Sequence, residues 1–473
     1  MEEPDPTRDA HADPPEVPAA AASGPAWSEG AVLYQVQVAS FTEEGTFEAA
    51  AGHLPRLREL GVDVVWLMPI HPQAERVVPE AEAKAGVELP VRRWEPAPFR
   101  SAYAVRDHRA IDPALGDEAD LRAFCDGAHR LGLKVMLGWV PAHTSWDNPL
   151  LAEHPGWYAR NPEGRVLPQK TWLDIAKLDY EGPEADALRA YMREAREKFV
   201  ALGVDAFRED IAGWLPAEHW EKLRAEMDPD GRLLWLAEAD EPWLHPSFDL
   251  TYDWPMHAEY WRSAVGGVGG DAIDALVREQ AAALPPGPRR MRHLLNHDLV
   301  GSSTEHWPER FALAELFGDP PPTQLERWGR FVEAFTALNF TLPRGVPMVL
   351  VGEEVGHFGG INRTPGGRCP FPWDAPPDPG RAAWIAQLAA ARSRLAPLRT
   401  GSYRRVRTGD PGVYAFERAL GGQRVSVVVN LSGSAAGAAA PEDAQPVAAR
   451  GLSGGQLQPG GVLISATARA AHP

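Results

Sequence analysis

The sequence predicts an α/β protein built on a closed (β/α)8 barrel, and three observations predict it. A beat of helix, glycine and apolar strand recurs between about residues 31 and 352. The strands are apolar along their length, as parallel strands buried on both faces are. No glycine-rich phosphate loop follows the first strand, which disfavours a doubly wound open sheet.

The elements follow in order. "AVLYQVQVAS" (31–40) reads as the first strand, and "TFEAAAGHLPRLRELG" (46–61) as an amphipathic helix stopped by a glycine. "VDVVWLMPI" (62–70) is the second strand, followed by a polar, proline-rich insertion from His71 to Ser101. "DEADLRAFCDGAHRLG" (117–132) and "LKVMLGWV" (133–140) repeat the beat. An aromatic, proline-rich excursion interrupts it from Thr144 to Glu181. The beat resumes with a helix over 183–203 and the strand "VDAFRED". "RLLWLAEA", "FDLTYDW", "RHLLNHD" and "VPMVLVG" bring the strands to eight. After a last helix ending near Gly401 the texture becomes alternating β-prone runs with Gly-Asp and Gly-Gly turns, a separate antiparallel domain.

Composition narrows the function. The 473 residues carry a net charge of −18. Both nucleic acid and an anionic membrane would repel such a surface, so neither is expected as a partner. No window reaches the ~18 apolar residues of a membrane span. The opening "MEEPDPTRDAHADPPEVPAAAASG" is acidic and rich in proline and alanine. It lacks the basic start and apolar core of a secretion signal, so a cytoplasmic protein is expected, with a disordered tail over 1–27. The two cysteines, Cys125 and Cys369, are far apart and suggest no disulfide.

In such a barrel the chemistry sits at the C-terminal ends of the strands. Reading those ends gives His143 after the third, Arg208 and Asp210 in "FRED", Glu238 after the fifth, and His297 and Asp298 in "NHD". A single polar strand end is ordinary; a set on four strands is not. Residues two apart on a strand share a face, so Arg208 and Asp210 point together and Glu209 points away. A neighbouring guanidinium favours an ionised carboxylate, which suits a nucleophile. Glu238 follows the apolar "LLWLA" and faces other carboxylates, which would keep it protonated. Carboxyl groups in these contrasting roles are the equipment of a retaining glycoside hydrolase. Loop residues among the 17 tryptophans would stack on sugar rings.

The ordered segments "YAVRDHRAIDPALG", "GWVPAHTS", "GVDAFREDIAG", "WLAEADEP", "LLNHD" and "GVPMVLVGEEVG" resemble the α-amylase family of glycoside hydrolases, most closely its bacterial intracellular members. The resemblance runs from about Leu33 to the end of the chain. It implies a barrel over 28–143 and 182–399, a short B domain over 144–181 and a C-terminal β-sandwich over 400–473. It also implies Asp210 as nucleophile, Glu238 as general acid/base and Asp298 as the third carboxylate. Tyr103, His143, Arg208 and His297 would then bind substrate, while Glu353 and Glu354 would be structural. The implied activity is cleavage of α-1,4-glucosidic bonds in starch-derived glucans or maltodextrins through a covalent intermediate. A glucan transglycosylase and a catalytically impaired glucan-binding relative are the alternatives.

Several positions depart from the family pattern. Gly138 and Ala142 stand where the pattern D-x-V-x-N-H has its aspartate and asparagine. That asparagine is commonly a calcium ligand, and alanine offers no side-chain oxygen, so no metal or other cofactor is expected. Ala104 and Gly301 replace residues that clamp a chain's end in exo-acting relatives, which favours an open cleft. Nothing in the sequence specifies an oligomeric state.

Overall fold

The computed structural model describes residues 15–75, 101–170, 172–267, 269–299, 322–356, 373, 379–438 and 441–467. Eight parallel strands close a barrel: β1 (Leu33–Val36), β2 (Val64–Leu67), β3 (Lys134–Trp139), β7 (Ala206–Glu209), β8 (Leu234–Ala237), β9 (Leu250–Tyr252), β10 (Arg289–Arg292) and β11 (Gly345–Leu350). Their order around the barrel is β1-β11-β10-β9-β8-β7-β3-β2. Leu33, Val64, Trp66, Met136, Leu236, Leu250, Tyr252, Met291 and Met348 fill the interior. Alternate residues of the same strands pack outward against the helices.

The helices start and stop for local reasons. Glu118–Arg130 opens with a capping box between Asp117 and Asp120. Leu54–Leu60 ends at Gly61, whose φ of 90° is the left-handed conformation that glycine adopts freely. The single helix expected over 46–61 is two, Phe47–Ala51 and Leu54–Leu60, parted at Gly52 and His53.

Four sequence expectations are corrected. The tail expected to be disordered through residue 27 is packed from residue 15: Val17 exchanges two 2.8 Å backbone bonds with Tyr403, and Arg289 binds the Ser23 and Ser28 carbonyls. The third strand ends at Trp139, and His143 begins a second, smaller sheet. That sheet, β4 (His143–Ser145), β5 (Pro168–Gln169) and β6 (Trp172–Lys177), is antiparallel and lies in the insertion, so the insertion begins one residue before Thr144. The seventh strand is Arg289–Arg292 rather than "RHLLNHD", which leaves His297 and Asp298 on the loop that follows. Its three arginines hide the strand from an apolar search, because each is buried with oxygen partners.

The C-terminal domain is an antiparallel sheet, with six strands from β12 (Ser402–Val406) to β17 (Gln456–Thr467). Its second layer differs from the facing sheet of a sandwich. Tyr403, Tyr414, Phe416, Val427 and Ile464 join the main core and cover barrel helices, including Pro322–Thr341. Val413, Val428, Leu457 and Leu463 form a small core on the opposite face.

Candidate active site

Asp210 directly follows β7 and Glu238 directly follows β8, so two adjacent strands deliver them to the same end of the barrel. Arg208 joins them. Its Nη1 donates to Asp210 Oδ1 at 2.7 Å, and its Nη2 lies 2.5 Å from Glu238 Oε1. Its Nε donates to the Tyr252 hydroxyl at 3.1 Å. The guanidinium also lies 5.6 Å from the rings of Trp66 and Tyr252 and 5.8 Å from that of Tyr103. A fully buried cation is thus held by two carboxylates and three aromatic faces. Glu209 points the other way, as the two-residue period requires, and pairs with Arg196.

Burial raises the Glu238 carboxyl well above the usual range. The charges of Asp210 and Asp298 add to this, against the opposing pull of Arg208. The backbone N–H of Ile211 donates to Glu238 Oε2 at 2.7 Å. Ile211 has φ +42°, a conformation that β-branched residues rarely adopt. The chain therefore turns sharply after Asp210, and the turn aims an N–H at the neighbouring carboxyl group.

A second group forms the opposite wall. His297 stacks on Tyr103, with ring centroids 5.4 Å apart, and its Nε2 is 2.5 Å from the Tyr103 hydroxyl and 3.4 Å from Asp298 Oδ1. Gln35 fixes its tautomer. The His297 backbone N–H donates to Gln35 Oε1, so the Gln35 amide nitrogen faces Nδ1 at 2.8 Å and donates to it. Nδ1 is therefore the acceptor and Nε2 carries the proton, directed at the Tyr103 oxygen. Burial raises the Tyr103 hydroxyl well above its ordinary value. His143 is fully buried, and its Nε2 contacts the Tyr103 carbonyl oxygen at 3.1 Å. Burial lowers its pKa against the pull of Asp210 and Asp174.

Arg208, Asp210, Glu238, His297, Asp298, Tyr103 and His143 thus form one connected group. Sequence reasoning missed Gln35, Tyr252, Trp66 and Ile211. Only Gln35 left a signal, as a polar residue inside the apolar strand "VLYQV".

Glu353 and Glu354 serve the fold. Glu354 accepts from Tyr34, Arg56 and the Gly352 N–H, and Glu353 accepts from the Leu350 N–H.

Gly138 and Ala142 bring no side-chain oxygen to β3 and the segment that follows it. The Ala142 carbonyl is taken by the Leu178 N–H at 3.0 Å. A side chain at Gly138 would begin 3.1 Å from Pro69 Cδ and 3.2 Å from the Leu67 carbonyl oxygen. Among the described residues no three His, Cys, Asp or Glu side chains gather as a metal site. Ala104 is buried beside Tyr103, and Gly301 lies outside the described residues, as does Cys369. Among the described residues no helix is long and apolar enough to cross a membrane.

The family model of the α-amylase catalytic domain matches residues 28–163. An α-1,4-glucan:maltose-1-phosphate maltosyltransferase of Salinibacter ruber is 32% identical over 221 residues, which cover 45% of this chain and 33% of the relative. The α-amylase MalA of Haloarcula japonica is 26% identical over 387 residues, covering 78% of this chain and 49% of the relative. The chain spans about a third of the length of the first curated relatives it matches. A crystal structure of an α-amylase from Lactobacillus plantarum has the same fold, with a TM-score of 0.73 at 23% identity over 93% of this chain and 100% of that one. The maltogenic α-amylase AmyB from Thermotoga neapolitana aligns with a TM-score of 0.69 at 24% identity, over 87% of this chain and 88% of that one.

Proposed function

We propose that this chain, a member of the α-amylase family, is a retaining glycoside hydrolase of α-1,4-glucans. One observation carries the reading: Arg208 is shared between Asp210 and Glu238, and burial and negative neighbours push the Glu238 carboxyl well above the usual range. Asp210 is the nucleophile and Glu238 the general acid. Glu238 gives its proton to the glycosidic oxygen as Asp210 bonds to C1 and the C1–O bond breaks, releasing the departing chain as an alcohol. The Glu238 carboxylate then takes a proton from water, which attacks C1 and releases Asp210. His143, His297, Asp298 and Tyr103 hold the sugar whose C1 reacts. With Nδ1 held as acceptor by Gln35, the His297 Nε2–H turns from the Tyr103 oxygen to that sugar when substrate binds.

Transfer to a second sugar is the other reading, favoured by the similarity to maltosyltransferases. The two differ only in whether water or a hydroxyl reaches the intermediate. Incubation with maltoheptaose, followed by NMR of the first-formed anomer and by chromatography, tests both. The expected result is shorter products of α configuration, abolished in Asp210→Asn. First-formed β products would overturn the retaining mechanism, and products longer than the substrate would favour transfer.

A further inference from the structure

The N-terminal end of the barrel, opposite the carboxylates, gathers charge of the other sign. Arg289 opens β10 and Arg344 directly precedes β11, so both stand where strands begin. Arg399 lies in the helix Ala396–Thr400, and Arg418 lies on the strand Val413–Leu420 of the C-terminal sheet. These four arginines line one small cavity, together with Pro18 and residues 20–22 of the N-terminal segment. Among the described residues no aspartate or glutamate lines it. The chain as a whole has a net charge of −18, so a concavity lined by cations alone runs against its overall field.

The oxygens that hold these arginines are nearly all neutral. Arg418 donates to the carbonyls of Ser402, Thr341, Leu398 and Gly401. Arg344 donates to those of Leu284 and Pro285. Arg289 donates to the carbonyls of Ser23, Ser28 and Glu29 and to the Ser28 hydroxyl. Of the four, Arg399 alone bonds a carboxylate among the described residues, that of Glu29 at 3.1 Å. Asp249, whose charge also reaches Arg289, is held by Arg224.

Two donors are left over. The Nε atoms of Arg289 and Arg344 are buried with no hydrogen-bond partner among the described residues, and Arg289 as a whole is only 3% exposed. Arg344 also sits at φ +54°, a left-handed conformation that a side chain disfavours and that recurs at ligand sites. Burial pulls Arg289 down to about 10 and Arg418 to about 9, and repulsion from Arg392 and Arg292 adds to the second. Arginine keeps its proton at any working pH, so these lowered values register unmet positive charge.

We propose that this cavity binds one compact inorganic anion, which ties the N-terminal segment, the barrel and the C-terminal sheet to one another. The four guanidinium groups supply the charge, and the unpartnered Nε–H groups of Arg289 and Arg344 supply donors. The free space is about the size of a water molecule, which admits a single small ion and excludes a sugar ring. Because the site lies at the end of the barrel away from Asp210 and Glu238, its effect falls on stability.

The test uses the full-length protein at constant ionic strength, with gluconate, too bulky for the cavity, replaced stepwise by chloride or by phosphate. With at least one of the two, Tm should rise to a plateau, by about 3 °C at a hundredfold excess over Kd. Arg344→Met removes one guanidinium and should lose that rise. An equal rise in wild type and Arg344→Met would be a general salt effect and would overturn the site, as would no response to either anion. Should Arg344→Met not fold, Arg344→Lys is the milder change. Its Kd by calorimetry should be weakened about tenfold, because an ammonium lacks the Nε–H. A Kd equal to that of wild type overturns the site.

Discussion

Two buried arginines lie against opposite faces of β7, and they differ in what they answer to. Arg196 meets Glu209 in a two-pronged pair at 2.9 and 2.7 Å, and its remaining nitrogen binds the Met192 carbonyl. One cation faces one carboxylate, and both side chains are fully buried. Arg208 also touches carboxylates, but it is shared between two, with Asp298 adding a third negative neighbour to Glu238. Both carboxylates that Arg208 touches retain some access to solvent. A balanced, sealed pair serves the fold. An outnumbered cation beside reachable carboxylates leaves charge for a reaction to use.

Breaking each arginine in turn gives the largest contrast. Arg208→Met should lower kcat on maltoheptaose by about 10³-fold, because the proposed nucleophile and acid lose their common anchor. Arg196→Met should instead leave Glu209 buried and unpaired, costing about 3–5 kcal/mol in urea unfolding. If Arg196→Met proved as stable as wild type, the structural role given to that pair would be wrong.

Smaller effects sharpen the same contrast. Gln35→Leu removes the partner of His297 Nδ1 without touching a carboxylate, and kcat should fall roughly tenfold. Asp298→Asn removes a negative neighbour of Glu238, so the acid should lose its proton more readily. The sign follows from Glu238's raised pKa: activity that needs its proton is present below that pKa and lost as pH rises through it. The alkaline limb of kcat/KM in Asp298→Asn should therefore move to lower pH, and a move to higher pH would contradict the assignment of Glu238 as acid. The smallest change is expected from dialysis against EDTA, which should shift Tm by less than about 2 °C if no calcium braces the site. A large drop would show that other groups replace the missing asparagine.

The barrel was legible because its strands are unmixed apolar runs separated by glycine-ended helices. The exception shows the signal: "RRMR" is a strand that no apolar search finds, and the apolar pattern points to "RHLLNHD" instead. Arg208 and Asp210 were legible through the two-residue period, and Glu238 through its apolar approach. Gln35 stands out in β1 only as a polar residue in an apolar run, and Tyr252 in β9 reads as part of the core. The turn at Ile211 was not legible, since the sequence holds no glycine there to announce a positive φ.

Adjacent charges of opposite sign on β7 also bear on how the barrel assembles. A slip of one residue along that strand would exchange the directions of its side chains. Glu209 would then turn toward the acidic mouth, and Arg208 would turn outward against Arg196. Either encounter sets like charges together in a poorly solvated place. The outward pair therefore acts as a check on alignment, rejecting a misthreaded strand before the inner residues are ever asked to react.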